Sequence, residues 1–219
     1  MNKVAILHTS AATLGLIQTL TAKIMPGVEI MHIVEDSMIR EVMKNGGPTP
    51  AINARIAAYI RAAADAGCSI FMTACSSIGA SVEQCQFLSP IPLTRIDEAM
   101  VTAAIAQGKR IAVLATVETT LKPTLELIKR KALEAGKTIE VMPTLMPEAF
   151  TALLAGDMQT HDRIVSAGLR AALASADIVV LAQASMARVM EAMEKPAVPV
   201  LTSPECGIMR LKERLVALA

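Results

Sequence analysis

The stretch FMTACSSIGA, residues 71–80, sets a cysteine after an apolar run and before two serines. A thiol at the mouth of a strand-to-helix turn feels the positive helix end and the neighbouring amides, which favours the thiolate. A thiolate can take a proton or attack an electrophile. The stretch VVLAQASMAR, residues 179–188, repeats the passage with Gln183 where the first copy has Cys75. Glutamine has no titratable group, so the two copies cannot share one chemistry. Of the other cysteines, Cys68 precedes a strand pattern and Cys85 lies in a helical one. Cys206 stands in SPECG after the last apolar run. No Cys-x-x-Cys pair occurs, and His8, His32 and His161 are far from the cysteines in sequence, so no metal site is expected.

Eight short apolar runs must position these residues. Val4–Leu7, Val28–Ile33, Ser69–Thr73 and Ile91–Thr94 read as strands in the first half. Ile111–Ala115, Ile139–Pro143, Ile178–Leu181 and Val198–Leu201 read as strands in the second. Such runs suit parallel strands covered on both faces. Helical stretches such as Asn53–Ala66 and Lys122–Ala135 alternate with them, which predicts an α/β fold with parallel sheets.

The halves also align. VAILHTSAATL at 4 matches IAVLATVETTL at 111, an offset of 111 − 4 = 107. VEIM at 28 matches IEVM at 139, IFMTACSSIG at 70 matches IVVLAQASMA at 178, and IPLTRIDEA at 91 matches VPVLTSPEC at 198. Four ordered matches at nearly one offset predict two pseudo-symmetric lobes, each a four-stranded parallel sheet flanked by helices. The expected lobes are residues 1–97 and 98–204, with a C-terminal helix at about 205–219 able to pack back on the first.

Ligands of open α/β sheets bind beyond the carboxyl ends of the strands, so the active site is expected in the cleft between the lobes. The residues after the strands include His8, Thr9 and Ser10, then Cys75, Ser76 and Ser77, then Thr116, Gln183 and Ser185. Small hydroxyls and amides at helix starts suit a carboxylate, and each hydroxyl also suits a helix cap. His32 reads as structural, His161 as part of an exposed helix start, and Arg188 as the partner of an acidic substrate or surface carboxylate. KNGGPTP, residues 44–50, reads as a covering loop or a connection between helices.

Composition narrows the classes further. Aromatic residues are 2% of the chain, which leaves no stacking platform for single-stranded nucleic acid. The net charge of +1 gives no polyanion footprint. No run of about 18 uncharged apolar residues is present, so no membrane span is expected. Free thiols and a short apolar N-terminal run predict a soluble cytoplasmic protein.

These residues resemble the aspartate/glutamate/hydantoin racemase superfamily. TACSSIGA resembles its first motif, Cys-Asn-Thr and variants; ATVETTLKP resembles the Gly-Thr-x-Gly-Thr stretch that opens its second lobe. LAQASM stands where its second motif, Gly-Cys-Thr, would stand. The resemblance implies cofactor-independent proton transfer on a small carboxylate-bearing molecule, and a homodimer. It assigns Cys75 as the first-lobe acid/base, and Ser76, Ser77, Thr116 and Thr119 as carboxylate ligands. His8 and Thr9 fall where racemases keep a polar pair, and Gln183 takes the second cysteine's place, followed by Ser185. Whether Gln183, Cys206 or another group takes over from the missing thiol is left open by the sequence. With one cysteine, a one-sided isomerase, a decarboxylase, a maleate-type cis–trans isomerase and a non-catalytic binder all stay open.

Overall fold

The computed structural model describes residues 3–218, and these divide into two compact units. Unit 1 holds the chain up to Glu98 together with Pro204 onward, and unit 2 is Ala99–Ser203. The strands are β1 Lys3–His8, β2 Glu29–Val34, β3 Ile70–Thr73, β4 Leu93–Arg95, β5 Arg110–Ala115, β6 Glu140–Leu145, β7 Ile178–Leu181 and β8 Val200–Thr202. All eight expected strands are present, and both sheets are parallel. Their orders are β2-β1-β3-β4 and β6-β5-β7-β8. Strand lengths of 6, 6, 4 and 3 residues recur in both units, so the repeat read in the sequence is a repeat of architecture.

The helices are α1 Leu14–Ile24, α2 Ser37–Asn45, α3 Pro50–Asp65, α4 Gly79–Gln84, α5 Glu98–Gln107, α6 Glu118–Glu134, α7 Pro147–Leu154, α8 Met158–Leu173 and α9 Ser203–Ala217. Among the described residues, no helix is long and apolar enough to cross a membrane. Inner strands β1, β3, β5 and β7 are buried almost throughout, whereas the outer strands β2 and β6 are partly exposed, so their apolar runs face solvent on one side. One face of the first sheet packs Ala5, Leu7 and Phe71 against α2 and α3; the other packs Val4, Ile6 and Met72 against α1 and α9. In unit 2, Leu114, Val179 and Leu181 pack on Val165 and Leu169 of α8.

Local chemistry fixes the 16-residue helices α3 of unit 1 and α8 of unit 2. Thr49 caps α3, its hydroxyl accepting from Ile52 N, and Pro50 occupies the first helical position, where its missing N–H costs nothing. Asp157 caps α8 by accepting from Thr160 N at 2.9 Å. KNGGPTP is the connection from α2 to α3, with Gly46 at φ 70° ending α2 in the left-handed conformation that glycine adopts freely.

Helix α9 is fitted closely to the end of β4. A Cβ at Gly207 would lie 2.5 Å from the Ile96 carbonyl oxygen, and a backbone atom cannot swing aside. Gly207→Ala is expected to cost about 1–3 kcal/mol, read as a lower urea midpoint at unchanged slope. An unchanged midpoint would mean that α9 shifts without loss.

Candidate active site

Because the strands are parallel, their carboxyl ends share one edge in each sheet. In unit 1 the ladder continues past the strands. Glu35 N donates to His8 O at 2.9 Å, Ala74 N to Leu7 O at 2.9 Å and Ile96 N to Thr73 O at 3.0 Å. This edge gathers His8, Glu35, Cys75 and Arg95. Thr9, Ser76 and Ser77 are buried beside them, and Ser10 is half-buried. Ser10 accepts from Ala12 N at 3.2 Å and so serves as a cap.

Cys75 is half-buried and packs against the core that α2 and α3 share with the sheet. Thr73 holds its backbone on both sides. The Thr73 hydroxyl accepts from Cys75 N at 3.2 Å and donates to Cys75 O at 3.3 Å. The expected helix start after Cys75 is a three-residue 3-10 turn, Ser76–Ile78, leading into the six-residue α4. So short a helix carries little dipole, and the thiol owes its placement to Thr73 more than to a helix end.

Arg95 is the main residue that sequence reasoning missed. Its Nε and Nη2 donate to the two oxygens of Asp97 at 2.6 and 2.8 Å, and Nη1 donates to Glu83 of α4 at 3.3 Å. Nη2 also donates to the Ser76 carbonyl at 3.5 Å. Gly79 leaves room for this guanidinium, since a Cβ there would lie 2.4 Å from Arg95 Cζ. Burial alone would lower the Arg95 pKa, but Asp97 and then Glu83 outweigh it and raise it. Arg95 therefore ties the Cys75 turn and α4 to the end of β4. The signal was Arg-x-Asp, a spacing that puts both side chains on one face of an extended chain.

His32, read as structural, is the partner of His8. His8 Nε2 lies 3.0 Å from His32 Nδ1, and His8 Nδ1 is buried without a partner. Burial, then the neighbouring His32, pushes His8 down to about 4; burial lowers His32 too. Between the ordinary value of 6.5 and about 4, the unfolded chain binds a proton that the folded chain refuses. Stability is thus full above pH 6.5 and falls as the pH drops towards 4, by about 3 kcal/mol for His8. Urea unfolding at pH 7 and pH 4.5 checks this: His8→Gln is expected to flatten the dependence, and an equal slope in both proteins would sink it.

In unit 2 the corresponding edge carries Thr116, buried, with Thr119, Gln183 and Ser185 half-buried. Gln183 stands at Cys75's place and turns its carbonyl oxygen to Thr116, accepting from Thr116 N at 2.5 Å and from its hydroxyl at 3.0 Å. The Thr116 groups expected to hold a carboxylate are thus taken by Gln183, whose amide NH₂ is left as the donor end. Thr119 Oγ1 is buried with no partner. Gln183 opens a nine-residue 3-10 segment, Ala184–Ala192.

One expectation is corrected here. His161 does not sit on an exposed helix start. It is 0% exposed, because 161, 165, 169 and 172 form the inward stripe of α8. Arg188 pairs with a carboxylate of its own unit, Asp162, at 3.2 Å. Cys206, on the first turn of α9, belongs to unit 1, and burial followed by Glu205 pushes its thiol up. The described residues contain no His, Cys, Asp and Glu group able to hold a metal ion.

No curated protein sequence matches the chain. Solved structures share the fold across nearly its whole length. An allantoin racemase from Klebsiella pneumoniae is 19% identical with a TM-score of 0.68, the match covering 100% of this chain and 89% of that one. A glutamate racemase from Bacillus anthracis is 15% identical with a TM-score of 0.73, covering 99% and 82%. An aspartate racemase from Picrophilus torridus is 14% identical with a TM-score of 0.73, covering 99% and 95%. The sequence model of one family, Asp/Glu/Hydantoin racemase, matches residues 6–211. With that span and the doubled four-stranded sheet, the chain belongs to the Asp/Glu/hydantoin racemase family.

Proposed function

We propose that this racemase-family enzyme moves the Cα proton of a small carboxylate-bearing substrate, without a cofactor, and that Cys75 is the group that moves it in unit 1. The observation carrying this reading is Cys75 itself: a half-buried thiol at a strand's carboxyl end, its backbone held by Thr73, with the buried hydroxyl residues Ser76 and Ser77 following it. The thiolate takes the Cα proton, and the electron pair left behind spreads onto the substrate's carboxyl group. Donors aimed at those oxygens stabilise the charge as it develops. In unit 1 these are Ser76 and Ser77. At the corresponding edge of unit 2, Thr119, whose hydroxyl lacks a partner, and the Gln183 amide NH₂ are donors of the same kind, with Thr116 orienting that amide. His8, Thr9 and Ser10 complete the polar edge of unit 1 in this reading, and Ser185 that of unit 2.

Proton NMR in D₂O tests it. The substrates to try are both enantiomers of aspartate and glutamate, then allantoin, hydroxy acids, malonates and maleate, with wild type and Cys75→Ala side by side. Loss of a carbon-bound proton signal that depends on Cys75 supports the reading. Absence of Cys75-dependent change in every compound overturns it. Loss of a carboxyl group in place of exchange would make the enzyme a decarboxylase.

A further inference from the structure

Phe87 and Leu88 are the most exposed large apolar side chains of the described residues, 95% and 86% open to solvent, and they stand side by side. They lie in unit 1, in the four-residue 3-10 turn Cys85–Leu88 between α4 and β4. The turn is braced on both sides of the pair. Gln86 Oε1 accepts from Leu93 N at 2.7 Å. Ser89 Oγ donates to the Ile91 carbonyl at 2.6 Å and accepts from Ile91 N at 3.3 Å. A fixed backbone therefore holds an aromatic ring out in water.

The repeat supplies a control for what the turn itself needs. Strands β4 and β8 start at an offset of 200 − 93 = 107, which takes Phe87 and Leu88 to Glu194 and Lys195. Both counterparts are exposed charged residues. The approach to the outer strand thus does not call for apolar side chains, and in unit 1 the pair serves something other than folding.

A third apolar residue lies on the same side of the unit. Arg214 Nη1 of α9 donates to Leu93 O at 3.3 Å, so α9 meets the start of β4 where Gln86 also meets it. Leu218 follows four residues later, on the same flank, and is 51% exposed. The charge between the two segments is cancelled in place, since Arg214 Nη2 donates to Glu98 at 2.8 Å. The outermost strand is closed here as well. Leu93 gives its N–H to Gln86 and its carbonyl to Arg214, so an added strand would find no partner at that residue. Recognition at this surface falls to the side chains.

We propose that Phe87, Leu88 and Leu218 form the centre of a surface on which a second copy of this chain docks, patch to patch across a twofold axis. The patch carries no net charge, so two copies can present it to each other without repulsion. Phe87 alone covers roughly 150–250 Å² when buried, about a fifth to a third of the ~800 Å² that a standard interface takes from each copy. An aromatic side chain on a braced turn also loses little freedom on docking, which is the way an interface anchor is best presented.

Analytical ultracentrifugation of the whole chain, from submicromolar to high micromolar protein, tests this. Wild type is compared with Phe87→Glu, Leu88→Glu and Leu133→Glu, and circular dichroism checks the fold of each. Phe87 and Leu88 are almost wholly in water, so charging them costs the single chain little. Wild type is expected to be a dimer. Phe87→Glu is expected to raise the dissociation constant about 10²-fold or more, and Leu88→Glu about 10-fold or more. Leu133→Glu charges a similarly exposed leucine of unit 2 and is expected to leave the dimer intact. A wild type that stays monomeric at every concentration overturns the proposal, even if it captures a different protein. So does a dimer that Phe87→Glu leaves intact, or one that Leu133→Glu disrupts as strongly.

Discussion

Cys75→Ala is expected to slow Cα–H exchange about 10²–10⁴-fold, the usual range for removing a positioned acid or base. The protein should meanwhile keep its fold. Cys75 is half-buried, and the contacts that shape its turn run from Thr73 to the Cys75 backbone, which alanine also has. Unfolding free energy is therefore expected to change by less than about 1 kcal/mol. The pairing of a large kinetic loss with a small stability loss is the diagnostic. A binder without catalysis would show neither exchange nor any change in ligand affinity on this substitution. A structural cysteine would show the reverse pattern, stability falling in step with activity.

Arg95→Met is expected to be the most destabilising single change in unit 1, by about 3–5 kcal/mol, because it leaves Asp97 charged, buried and unpaired. Asp97 is 0% exposed and Arg95 is 3% exposed, so water cannot take the partner's place. The double variant Arg95→Met, Asp97→Leu removes both charges and should recover most of the loss. Urea unfolding of the three proteins decides the matter. A loss below 1 kcal/mol in Arg95→Met would show that the guanidinium does not hold this edge. Recovery in the double variant would separate the cost of a stranded carboxylate from the worth of the pair. Even a stable double variant loses the ties to Glu83 and the Ser76 carbonyl, so its Cys75 turn should be looser than the native one.

The sheets were legible because burial demands it. β1, β3, β5 and β7 are covered on both faces, so each reads as an unbroken apolar run, and the doubled pattern exposes the repeat. The place of Cys75 at a strand's carboxyl end was legible because it closely follows such a run. The polar interior was harder. Arg95 and His161 are types that usually face water, and their burial depends on partners distant in sequence or on the helical stripe they join. Arg95 is buried because Asp97 and Glu83 meet it, and Gly79 makes the space. His161 looked exposed because Asp157, Thr160, Asp162 and Arg163 surround it in sequence; only the 3.6-residue period places it inside. The role of Gln183 was hidden for another reason, since its carbonyl reaches 67 residues back to Thr116.

Helix α9 returns to unit 1 after unit 2 is complete, and Ile208, Leu211 and Leu215 fill the same core as Val4, Ile6 and Met72. On the ribosome this reverses the usual order. The unit whose strands emerge first must wait with one face of its sheet uncovered, while the later unit already has all of its chain. Cys75 sits in the waiting unit. Unit 1 should thus complete its core, and settle the turn that holds Cys75, only after α9 has emerged, and a chain arrested before residue 208 should be a target for chaperones and proteases.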